Sequence, residues 1–119
     1  MNRQLTAAEM HLTRWMLEHA GPEAKAFLSQ LEKAQATPWR CPCGCPSFNL
    51  SIQGLPKPSG PIHPLAEYVF GTEVTLSGVF VFEQGGVLAG VEVYGLAGDA
   101  PKALPTAESL RQFQAGQQM

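Results

Sequence analysis

Long apolar runs are missing from this chain: no window approaches the roughly 20 hydrophobic residues that a membrane-spanning helix needs. The opening segment MNRQLTAAEMHL lacks the apolar core of a secretory leader. Excess positive charge is missing too, with 8 Lys and Arg against 10 Asp and Glu and a formal net charge of -2. Such a balance supplies no basic field for a phosphate backbone or an anionic membrane surface, so neither nucleic acid nor membrane is an expected partner. Cysteine is scarce, and the three present are crowded into five positions, an odd number that does not suit a secreted disulfide framework. These absences together lead to the expectation of a cytoplasmic protein. The common catalytic signatures are lacking as well: there is no Walker loop, no nucleophile elbow and no HExxH helix.

What is present suffices for one globular domain. The chain has 119 residues, 45% hydrophobic and 15% charged, enough for a single modest core without disulfides or metals. Thr6 with Glu9 forms a capping box and Gly21-Pro22 is a stop, so a helix is predicted over residues 7–20. Leu5, Ala8, Leu12, Trp15, Met16 and His19 share one face of it, whereas Met10 and Leu17 form a second, smaller apolar patch on nearly the opposite side. Pro22 suits the first turn of a second helix reaching Gln35, with Ala24, Phe27, Leu28, Leu31 and Ala34 on one stripe, which would complete a helical hairpin.

Beyond residue 38 the period falls to two. Ser47 to Gln53 alternates strictly and points Phe48, Leu50 and Ile52 inward. GLPKPSGPIHP, with four prolines, reads as a surface loop. Residues 72–83 and 87–94 read as a hairpin around Gln84-Gly85-Gly86, with Val74, Leu76, Phe80 and Phe82 towards the core and Gly90, Glu92 and Tyr94 on a wet face. Thr106 is placed to cap a last short helix using Leu110 and Phe113, and residues 114–119 are expected to fray. The fold class is therefore α+β: over residues 1–113, an N-terminal helical hairpin on an antiparallel sheet of three to four strands, with a short C-terminal helix.

The chemically suggestive segment is Cys41-Pro42-Cys43-Gly44-Cys45-Pro46. On a regular strand the three thiols would share a face about 6.6 Å apart, too far for relaxed disulfides. The prolines and glycine favour instead a bent loop that could gather them. Three readings follow. The cysteines are small buried core residues; they bind zinc or another soft metal, with His63 or His19 as the missing fourth ligand; or they form a strained, labile Cys-x-Cys disulfide centre. His19, near a helix C-terminus, has the plainer role of satisfying the last carbonyls, and His11 belongs to the helix's wet strip.

The order of a capped helical hairpin, RCPCGCPSFNL, FVFEQGGVLAGVEVYG and LPTAESL resembles a group of small bacterial proteins with a C-x-C-G-C-P-S/T loop. The resemblance implies a bacterial cytosolic origin and brings no activity with it. Two function classes remain. One is a non-catalytic protein-binding module, such as a toxin-neutralising immunity protein or a homodimer, without a cofactor and using Met10, Leu17 and Tyr94 as contacts. The other is a thiol-centred protein with Cys41, Cys43, Cys45 and His63 as metal ligands, zinc being the first candidate, or with the cysteines as redox groups.

Overall fold

A computed structural model describes residues 1–112. It opens with helix α1, Ala7–His19, whose capping box forms as the sequence indicates: the Thr6 side chain accepts from the Glu9 N–H at 3.0 Å and the Glu9 carboxylate accepts from the Thr6 N–H at 2.9 Å. Arg3 adds a two-pronged bond to the same carboxylate at 2.8 and 2.9 Å. The Arg3 guanidinium thereby holds Glu9 below the usual carboxylate range, against the opposing effect of its burial. The stability carried by that lowered pKa is present above about pH 4.3, the unfolded value, and is lost as pH falls through the folded one. Glu9→Gln is expected to cost about 1–2 kcal/mol at neutral pH. Urea unfolding checks it: the gap between the two chains should close once the pH is acidic enough to protonate Glu9.

The expected second helix is broken. Two four-residue turns, α2 at Pro22–Lys25 and α3 at Leu28–Leu31, are followed by a short strand β1, Ala34–Ala36. The apolar stripe still faces inward, with Ala24 and Leu31 buried and Phe27 and Leu28 partly so. Pairing explains the break. The Gln30 side chain accepts from the Leu88 N–H at 2.7 Å and donates to the Gly86 carbonyl at 3.0 Å, and β1 hydrogen-bonds into the sheet, so tertiary contacts outweigh local helix propensity.

The sheet has five strands, more than the three to four expected: β1, β2 (Phe48–Ile52), β3 (His63–Phe70), β4 (Ser77–Gln84) and β5 (Val87–Gly95), all paired antiparallel in the order β1-β2-β5-β4-β3. Two strands are missing from the sequence reading: β1, which overlaps the end of the expected second helix, and β3, whose first residues, His63 and Pro64, belong by composition to the proline-rich loop. The register of β3 shifts between Pro64 and Ala66, the edge position and bulge that a proline tolerates. Strand β4 starts at Ser77 because Thr72 and Thr75 bond to each other across a turn, and that turn leaves Val74 80% exposed instead of in the core.

Helix α1 and the two turns cover one face of the sheet. Leu12, Met16, Leu17 and Leu31 pack with Phe48, Leu50, Val79, Val81, Val91 and Val93 into the main core. On the other face, Phe80 stacks at a tilt on Phe82 and Tyr94, and Tyr94 lies directly across from Gly78 over the space a side chain there would fill. Both outer edges of the sheet carry a single extra residue pair: Arg3 exchanges backbone bonds with Ala36 of β1, and Arg111 with Val69 of β3. In place of the expected C-terminal helix there is a 3-10 turn at Ala107–Ser109, with Leu110 packed against the core. Phe113 and residues 114–119 lie outside the described residues. No helix among the described residues is long and apolar enough to cross a membrane.

Candidate metal centre

The CPCGC segment occupies the connection between β1 and β2, and it is not strand. The Gly44 N–H donates to the Cys41 carbonyl at 3.0 Å, closing a β-turn with Pro42 second and Gly44 fourth. Among the described residues only glycines have a positive φ, so Cys43, third in the turn, has a negative φ, which excludes a type II turn and fits type I. Gly44 then takes φ +84°, which reverses the chain and returns Cys45 to the side of the other two thiols. The Lys102 ammonium, from the loop after β5, fastens the turn by donating to the Cys43 carbonyl at 3.0 Å.

The three sulfurs consequently lie within 4.8 Å of one another, much closer than the spacing of a regular strand, and those of Cys41 and Cys43 are 2.7 Å apart. All three cysteines are free; Cys43 is exposed and the others are half-buried. The reading of them as ordinary core residues is therefore corrected, since turn geometry holds them at the surface. They line a shallow recess of about 310 Å³ together with Trp39, Glu92 and Tyr94.

Ser47 joins the cluster to the sheet. Its hydroxyl stands within bonding distance of the Cys45 sulfur at 3.2 Å, accepts from the Val93 N–H at 2.8 Å and lies 3.3 Å from the Val93 carbonyl. A serine has one hydroxyl proton, so it serves the Val93 carbonyl while Cys45 is protonated and the sulfur once Cys45 ionises. Partial burial works against a charge on Cys45, yet hydrogen bonds from Cys43 and from the Ser47 side chain and backbone outweigh it and bring Cys45 down to about 7. Cys41 moves the other way, up to about 11, because its proton is shared with Cys43 and Cys45. Cys45 thus becomes a thiolate, the form that binds metals and attacks disulfides, well before Cys41 does.

The remaining candidate residues are elsewhere or otherwise engaged. His63 pairs with Glu83 at 2.7 Å and faces Glu23 at 3.8 Å. Glu83 pairs with Leu88, five residues along β5 from Val93, which places His63 about 16 Å of strand away from the thiols. It is not the fourth ligand. His19 donates from Nδ1 to the Trp15 carbonyl, 2.7 Å away, and stacks on the Trp15 ring, the helix-end role expected for it. The proposed surface patch on α1 does not exist: Leu17 is fully buried and Met10 packs against the core. Tyr94 is half-buried, covers Gly78, and donates its hydroxyl to Glu67 at 2.5 Å; burial and the Glu67 carboxylate both raise its pKa. Sequence reasoning missed Ser47, which alternates like a solvent-facing strand residue, and Lys102, 59 residues from its partner. No family model matches this chain, and comparison with curated proteins and with solved structures gives no match.

Proposed function

We propose that this chain is a thiol-centred protein that binds a soft metal ion through Cys41, Cys43 and Cys45. The observation that carries the reading is the gathering of three sulfurs within 4.8 Å at the surface. A metal at a Zn–S distance of ~2.3 Å in tetrahedral geometry sets its sulfurs about 3.8 Å apart. The trio is close to that size, and Cys41 and Cys43 need only rotate apart by about 1 Å, which surface side chains do cheaply. Metal binding would displace the thiol protons, and the hydrogen bonds to Cys45 ease the loss of its own.

The test is anaerobic titration of the reduced chain with cobalt(II), a coloured substitute for zinc. Thiolate-to-cobalt charge-transfer absorption should saturate at one ion per chain, and the C41S/C43S/C45S variant should show none while remaining folded by circular dichroism. Wild-type protein that gives no such absorption would overturn the reading. One observation supports a second use of the same loop: the close approach of Cys41 and Cys43, with an acidic thiol at Cys45, suits thiol–disulfide exchange. That reading requires a reversible Cys41–Cys43 disulfide, detectable by mass after exposure to oxidised glutathione.

A further inference from the structure

Resting on the metal-binding reading, we infer that the ion this site takes is monovalent copper, Cu(I), held by three sulfurs and no other donor of the chain. The donor count leads there. Among the described residues no imidazole nitrogen or carboxylate oxygen joins the sulfur cluster. His63 is committed to Glu83 at the far end of the sheet and the Tyr94 hydroxyl to Glu67, and the Ser47 oxygen accepts from the Val93 N–H. Zinc in protein sites fills four positions, and a three-sulfur loop leaves one of them to solvent. Cu(I) is softer, is selected by thiolates, and is satisfied by three of them in a plane. At a metal–sulfur distance of ~2.3 Å such a plane sets its sulfurs about 4 Å apart, inside the span the trio already occupies.

Charge and access agree with this ion. Three thiolates around one Cu(I) carry two net negative charges, and the Lys102 ammonium is bonded to the Cys43 carbonyl of the same turn, where it offsets them. Cys43 is exposed, so an incoming thiolate donor can reach the copper edge-on. Loading is then ligand exchange: a bond from copper to the donor sulfur breaks as the bond to a cysteine sulfur forms, the cysteine proton passes to the departing thiolate, and copper stays Cu(I) throughout. The site sits on a surface turn outside the main core, which fits an ion that is carried and handed on, not one that the fold depends upon.

The deciding experiment loads the reduced, full-length chain anaerobically with the acetonitrile complex of Cu(I) and measures X-ray absorption at the copper edge, with cobalt(II) spectra of the same chain and of Glu92→Gln alongside. The expected result is one copper per chain with three sulfur neighbours, absent from the triple-serine variant, and cobalt spectra unaffected by Glu92→Gln. Copper with two sulfurs, or with a nitrogen or oxygen neighbour, would overturn the assignment while leaving thiol-based metal binding intact. A cobalt spectrum altered by Glu92→Gln would also overturn it, because that carboxylate would then be a fourth ligand. A chain that takes up neither copper nor cobalt defeats the metal reading itself.

Discussion

Alanine at Leu17 lowers the free energy of unfolding by about 2–5 kcal/mol, the range for emptying a fully buried leucine site. Leu17 has no exposed surface and belongs to the cluster that joins α1 to the sheet, so the missing atoms leave a cavity that the surrounding side chains fill incompletely. For a domain whose whole stability is of the order of 5–15 kcal/mol, the loss is a large fraction. Met10→Ala serves as the comparison, because Met10 is only partly buried at the margin of the same core and its loss should cost much less. Denaturant midpoints of the two variants measure the difference. Equal, small effects would mean that both side chains lie on the surface of α1.

Ser47→Ala acts on fold and site at once. Removing the hydroxyl leaves the buried Val93 N–H without its acceptor at 2.8 Å, a loss of about 1–3 kcal/mol. It also removes one of the donors that hold Cys45 down near 7, so Cys45 should ionise at higher pH and react more slowly with iodoacetamide at neutral pH. A folded variant whose Cys45 alkylates at the wild-type rate across pH would exclude Ser47 as a partner of the thiolate. The paired readout matters, since a merely packing role for Ser47 would move stability alone.

Local signals were the legible part of the fold. The Thr6 and Glu9 box fixes the start of α1, the alternation of Phe48, Leu50 and Ile52 marks β2, and Gly85 and Gly86 take the positive φ that the β4–β5 turn needs. Each of these depends on residues a few positions apart. What escaped depends on distant pairing: α3 ends early because Gln30 is held by β5, and β3 is recognised as a strand only once β4 lies beside it. The site divides in the same way. The three cysteines were evident, and so was the possibility of a bend, but the pairing of Lys102 with the turn and of Ser47 with Val93 arises only when separate stretches of chain meet. The α1 patch failed for a related reason. A helical wheel shows which residues share a side and not which sides are covered, and here the turns after α1 and the sheet together enclose Leu17.

The two arginine pairs at the rims of the sheet bear on how this protein behaves in concentrated solution. A five-stranded sheet ends in two rows of unused backbone groups, and with a net charge of only -2 there is little overall repulsion to keep one molecule's rim from another's. Arg3 and Arg111 each occupy a bonding position that a neighbouring strand would otherwise take. Resistance to fibre-like stacking is thus concentrated in two short segments outside the main strands, at opposite limits of the described chain.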